Sequence, residues 1–294
     1  MSKTLDTYLL PDLYQPRLED WLPYEPAGTV RWRHSHLHGE IEKLWNAQSF
    51  MTWRYGVYFN THITILARPL GMIDHREFAG LMAPFNKEMK RWLAVSGESR
   101  RRRWCKRVVA DEPQKHLWLY TFEHSVRRGL HVHQLCVVPK KQRKAFEAHV
   151  RDWWSRAACL DVDPTAISVT YRNSAGASGL ARHGEWFRYV VKSARRDAGL
   201  YDDDRRPHLY RELFKLRPYP QTLPVYVPQM AGICRALSEK AQKTPILVGS
   251  QEYRFASKIT SGDFNRLFDG SEFEAYRRRE QVAYASRVLR ALQL

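Results

Sequence analysis

Long apolar runs are missing from this 294-residue chain. No uninterrupted stretch approaches the roughly 18 apolar residues that a membrane helix needs, so no spanning helix is expected. Cysteine is scarce. Cys105, Cys136, Cys159 and Cys234 lie too far apart for a CxxC zinc knuckle or a dense disulfide framework, and they read as reduced thiols of a cytoplasmic protein. The opening segment, MSKTLDTYLLPDLYQPRLED, places acids among its few apolar side chains and lacks a signal-peptide layout. No GxxxxGK[ST] phosphate loop occurs, which argues against a fused helicase, and no internal repeat is visible.

What is present points to a folded, basic protein. A hydrophobic fraction of 44% with 13% aromatics is too high for a disordered chain. Lys and Arg number 48 against 31 Asp and Glu, a formal net charge of +17. That excess is uneven: residues 1–50 sum to −2, residues 51–200 to +14 and residues 201–294 to +5. A polyanion is the partner such clustering implies, since Lys and Arg grouped on one module displace counterions from phosphates. Ten Trp supply stacking surfaces for unpaired bases.

Residues 1–35 show no sustained period and read as an irregular arm, followed by a short helix over 38–50. β-Branched and aromatic residues predict a strand over 53–67, and apolar spacing predicts a helix over 74–95 with a kink at Pro84. Strands follow at 116–124 and 130–138, closed into a hairpin by SVRRG, then an amphipathic helix over 140–158. A strand over 165–172, a small-residue loop at 174–179 and a helix over 183–196 complete the pattern. The order β-α-β-β-α-β-α predicts an α+β fold, an antiparallel sheet of split βαβ type with helices on one face. Three segments are expected: an arm and short helix at 1–50, a central domain at 51–200, and a Pro-containing linker with a helical extension at 201–294. In the last, helices are expected near 229–243 and 271–292.

The chemistry concentrates in FEHSVRRGLHVHQLCVV, residues 122–138. His131 and His133 stand two apart on a strand, so both imidazoles project from one face and make half of a divalent-metal site. If the hairpin pairs odd residues with odd, Glu123 joins them, whereas a one-residue slip presents His124. A carboxylate suits Mg²⁺ or Mn²⁺, which favours Glu123. A second His-apolar-His, His36-Leu37-His38, leads into a polar helix start and has no acidic residue on a partner strand, so it reads as surface or packing histidine. Tyr189 and Lys192 lie three apart on a predicted helix and share its face. A lysine or metal that stabilises the phenolate turns a tyrosine into a nucleophile. Tyr171 and Tyr201 compete for that role. Tyr171 would occupy the sheet face itself, and Tyr201 adjoins Asp202-Asp203-Asp204, whose charges repel phosphate.

Taken together, Phe122-Glu123-His124, Gly129-Leu130-His131-Val132-His133 and Tyr189-Val190-Val191-Lys192 resemble the HUH endonucleases, and more narrowly the rolling-circle replication initiators of plasmids and single-stranded phages. The resemblance covers about residues 53–196, with Thr61-His62-Ile63-Thr64-Ile65 similar to the family's first motif, apart from an unusual His62. It implies an RRM-like HUH core with metal ligands His131, His133 and Glu123. Tyr189 would attack the scissile phosphate of single-stranded DNA to give a 5′-phosphotyrosine, aided by Lys192 and by Mg²⁺ or Mn²⁺. Only one tyrosine occupies the Tyr189 helix, which matches single-tyrosine members. The implied partners are single-stranded DNA at an origin hairpin, with a host helicase and polymerase. Phosphate contacts are expected from Arg100, Arg101, Arg102, Arg103, Arg127, Arg128, Arg188, Arg195 and Arg196, and Arg277-Arg278-Arg279 could meet duplex DNA. A single-tyrosine transposase and a non-catalytic single-strand-binding module are the rival expectations.

Overall fold

A computed structural model describes residues 38–104, 116–161, 163–172, 176–195, 198–201, 207–216, 223–248, 251–257 and 259. The arm at 1–35, His36 and Leu37, Cys105, Arg196, the aspartates at 202–204 and the stretch 271–292 with its arginines lie outside the described residues, while His38 begins the first helix. Among those described, no helix is long and apolar enough to cross a membrane.

The chain opens with α1 (His38–Tyr55) and then β1 (Thr61–Leu66). Two helices, α2 (His75–Gly80) and α3 (Met82–Trp104), lead to the hairpin of β2 (Trp118–Ser125) and β3 (Gly129–Cys136). Next come α4 (Arg143–Ala158), β4 (Ile167–Tyr171) and α5 (Gly176–Val190). Short elements finish the described chain: β5 (Gly199–Tyr201), β6 (Pro207–Leu209), α6 (Tyr210–Leu213), β7 (Ala231–Ile233), α7 (Glu239–Lys243), β8 (Ile246–Val248) and β9 (Gln251–Tyr253). The main sheet runs β4-β1-β3-β2-β7 with every neighbouring pair antiparallel. The molecule is therefore an α+β fold built on an antiparallel sheet.

Alternation along the strands divides the core in two. Ile63, Ile65, Phe122, Val132 and Ile167 face one way and pack with Phe78 of α2, Phe85 and Met89 of α3, and Phe146, Val150 and Trp154 of α4. Leu119 and Leu135 face the other way, against Ile41, Leu44 and Trp45 of α1 and Trp186 and Phe187 of α5. Helices thus cover both faces of the sheet, where the sequence suggested one.

Several local boundaries also differ from expectation. The strand expected from residue 53 begins only at Thr61, because Trp53 and Tyr55 continue α1 and pack on its core. Helix 74–95 is two helices, separated at Leu81. Pro84 lies in the first turn of α3, where its missing N–H costs nothing, and causes no kink. The small-residue stretch at 174–179 is entered by the first turn of α5, and α5 stops at Val190 rather than near 196. The helix expected at 229–243 is mostly not one: Ala231–Ile233 forms the fifth strand, with only Glu239–Lys243 helical after it. Gly232 leaves room there for the Tyr120 ring, which a Cβ at 2.4 Å would force to shift. Beyond 200 the described residues are short strands and short helices, not a mainly helical extension. Helix α1 runs through residue 50, and β7 joins the main sheet beside β2. Cys136, Cys159 and Cys234 are free thiols.

Candidate metal centre and nucleophile

The β2–β3 hairpin sets the geometry. Its three-residue tip, Val126-Arg127-Arg128, is closed by Gly129 at φ +66°, a left-handed conformation that glycine adopts without strain. That turn fixes a register in which Glu123 opposes His131 and Thr121 opposes His133. All four side chains therefore leave the face that carries Leu119 and Leu135. His124 points to the opposite layer, where its Nδ1 lies 2.7 Å from the Pro224 carbonyl and its ring meets His75. Glu123, and not His124, completes the cluster.

Glu123 Oε2 stands 3.6 Å from His131 Nε2 and 3.4 Å from His133 Nε2, and all three residues are buried. Their potential ligand atoms lie within 4.8 Å of one another, so the group could hold a metal ion. The donor chemistry suits a cation. His131 Nδ1 lies 2.9 Å from the Gly129 carbonyl, an acceptor only, so Nδ1 carries the proton. In the neutral ring, His131 Nε2 then presents a lone pair to a carboxylate oxygen, an approach of two acceptors that a positive ion makes favourable.

Charge reinforces this picture. Burial acts to raise the Glu123 carboxyl; hydrogen bonds from the imidazoles of His131 and His133, which need a proton on Nε2, and the Lys192 ammonium, which acts in either tautomer, pull it well below the usual carboxylate range. Burial pushes His133 well below the usual histidine value, against the pull of Glu123, and the charge of Lys192 adds to the drop. Both residues therefore sit in their ligand forms at neutral pH. Lys192 Nζ bonds Glu123 Oε2 and lies 3.3 Å from His133 Nε2.

Tyr189 comes from α5, the helix packed on the same face of the sheet. The Thr121 hydroxyl donates to the Val190 carbonyl at 3.1 Å, which ties the C-terminal end of α5 to β2 beside the cluster. The Phe59 N–H donates to His183 Nδ1 at 3.2 Å and anchors the middle of the same helix. Tyr189 is 37% exposed, with its ring centroid 4.9 Å from that of His133. Lys192 lies in the turn after α5 rather than on the helix, and its Nζ sits 3.9 Å from the Tyr189 ring centroid. Arg211 holds that turn by donating to the Lys192 and Ala194 carbonyls, each at 3.2 Å. Of the competing tyrosines, Tyr171 faces the opposite layer and its hydroxyl donates to the Arg143 carbonyl at 2.7 Å. Tyr201 lies in β5, outside the main sheet.

An open groove of about 1040 Å³ runs from Tyr189 and Lys192 across the outer part of the sheet. Arg128 and Arg188 line it, as expected. Arg127 and Arg195 are exposed outside its lining, and Arg100–Arg103 fall in the last turns of α3. Sequence reasoning missed Arg172, Lys215, Ser168 and Thr170, which also line the groove. Arg172 lies over the Trp186 ring at 5.1 Å and pairs with Glu185 at 2.7 Å. Ser168 and Thr170 alternate with Ile167 and Val169, and that polar–apolar alternation was a usable signal for an uncovered sheet face. Comparison with known families, characterised proteins and solved structures finds no match for this chain.

Proposed function

We propose that this protein nicks and rejoins single-stranded DNA at a replication origin by transesterification, with Tyr189 as the nucleophile. One observation carries the reading: an accessible tyrosine from α5 converges with a buried Glu-His-His cluster from the β2–β3 hairpin, and a lysine touches both. Two further features support it. The order β-α-β-β-α-β with sheet order β4-β1-β3-β2 is that of a split βαβ unit, in keeping with an RRM-like HUH core. The groove beside Tyr189 carries four Arg and Lys side chains besides Lys192, with one acid, Glu185, among them. That balance suits a phosphate backbone.

Glu123, His131 and His133 would hold Mg²⁺ or Mn²⁺, which supplies Lewis-acid polarisation of the scissile phosphate. The Tyr189 phenol releases its proton to solvent in the open groove, its oxygen forms a bond to phosphorus as the bond to the 3′ oxygen breaks, and that oxygen takes a proton from solvent to leave as a 3′-hydroxyl. Lys192 supplies positive charge next to the phenol and the phosphate as negative charge develops. The 5′-phosphotyrosine keeps the phosphodiester energy, so rejoining reverses the step without ATP. Arg128, Arg172, Arg188 and Lys215 grip the strand along the groove.

The test uses a single-stranded origin oligonucleotide with Mn²⁺, followed by denaturing electrophoresis and peptide mapping. Wild type is expected to form a denaturant-resistant adduct at Tyr189, and Tyr189→Phe none. An undiminished adduct in Tyr189→Phe, or full activity in EDTA, would refute the assignment.

A further inference from the structure

The two histidines of the cluster are oriented in different ways. His131 is fixed by backbone, through the Gly129 carbonyl. His133 has no such carbonyl. Its Nδ1 lies 3.2 Å from His62 Nε2 and 3.1 Å from Thr64 Oγ1, and Thr64 Oγ1 is itself 3.4 Å from His62 Nε2. These groups meet because β1 pairs with β3: Thr64 opposes His133, and His62, two residues away, leaves the same face. The His62 ring packs obliquely on His133 at 5.2 Å between centroids and edge-on to Tyr189 at 5.4 Å.

The proton count follows from these contacts. His133 turns Nε2 toward Glu123, so to act as a ligand there it must carry its proton on Nδ1. That Nδ1–H can donate to the Thr64 oxygen or to His62 Nε2, and the Thr64 hydroxyl can in turn donate to His62 Nε2. Either route ends on a lone pair at His62 Nε2. We propose that His62 and Thr64 are positioning residues that hold His133 in the Nδ1–H tautomer with its Nε2 lone pair aimed at the metal position. This rests on reading Glu123, His131 and His133 as ligands. It gives His62 a defined task and makes His133 the one imidazole of the pair whose orientation side-chain substitutions on β1 can alter.

The full chain, stripped with EDTA, is titrated with Mn²⁺ by calorimetry and electron paramagnetic resonance. His62→Leu is expected to weaken Mn²⁺ binding about 10–100-fold, the usual cost of removing an outer partner of a metal-bound histidine. His62→Gln keeps an acceptor and should stay within about threefold of wild type. Thr64→Val, similar in shape, should lose several-fold. Nitrogen-15 spectra of the stripped wild type should show His133 protonated on Nδ1, a readout that needs no variant to fold. Wild-type affinity in both His62→Leu and Thr64→Val, equal losses in His62→Gln and His62→Leu, or His133 protonated on Nε2 would each overturn the proposal. Failure of the underlying reading looks different. Wild type that takes up no Mn²⁺ overturns the ligand assignment and this proposal together. Wild type that binds Mn²⁺ without forming a DNA adduct overturns the nicking activity alone, and the affinity series still decides the role of His62.

Discussion

Replacing Glu123 with Gln keeps the side chain's volume and removes the carboxylate that faces both imidazoles, its Oε2 lying 3.6 and 3.4 Å from the two Nε2 atoms. Two unit charges about 4 Å apart interact by roughly 4 kcal/mol at an effective dielectric of about 20. At about 1.4 kcal/mol per decade, that approaches three decades of affinity, and the amide oxygen recovers part of it. Mn²⁺ binding should therefore fall by roughly a hundredfold, as read by titration calorimetry. Stability should fall as well, because Lys192 loses the partner that Glu123 provides. Lys192 is 24% exposed on its side chain, so water recovers part of that loss. The cost should be about 1–2 kcal/mol, below the ~3–5 kcal/mol of a fully buried broken pair. The folded-state pKa of Glu123 is depressed, so its contribution to stability is present above the unfolded carboxylate range and is lost as pH falls through the folded value. The stability gap between wild type and Glu123→Gln should consequently narrow in acid. Mn²⁺ affinity within about threefold of wild type would refute the charge argument.

Lys192→Ala should slow adduct formation about 10–100-fold without abolishing it, measured in single-turnover nicking with Mn²⁺, while Mn²⁺ affinity rises because a neighbouring positive charge is gone. A loss as complete as that of Tyr189→Phe would make Lys192 an obligatory proton carrier. Burial lowers His183 to about 3, so the unfolded chain binds its proton first on acidification and stability is lost as pH falls below the ordinary histidine value. Between about pH 7 and about pH 5 this residue should cost about 2 kcal/mol in urea unfolding. His183→Gln, which can still accept from the Phe59 N–H, should flatten that part of the profile, and an unchanged slope would refute it.

The cluster was legible in the sequence because it depends on short-range regularities. Period-two spacing puts His131 and His133 on one face, and the tight SVRRG turn leaves few registers for Glu123. Non-local contacts hid the rest. Ala231–Ile233 is too short to show a period and becomes a strand only because the edge of β2 accepts it. Trp53 and Tyr55 have strong strand propensity, yet contacts with Phe50 and Phe255 keep them in or beside the helical core. Spacing alone puts Lys192 on a helical face, whereas its approach to Tyr189 depends on the turn that Arg211 holds from 19 residues away. His62 stood out as unusual, but its partner could be named only once β1 was known to pair with β3.

The opposition of Glu123 and His131 across the hairpin makes the candidate site a proofreader of strand alignment. A slip of one residue would face the imidazoles with His124 in place of Glu123 and take the carboxylate out of the cluster. An ion that binds only the correct alignment stabilises that alignment alone, by about 2.7 kcal/mol at a hundred times its dissociation constant. If the cluster holds an ion as proposed, that ion would also select, among the ways this hairpin could zip, the one that brings Glu123 to the histidines.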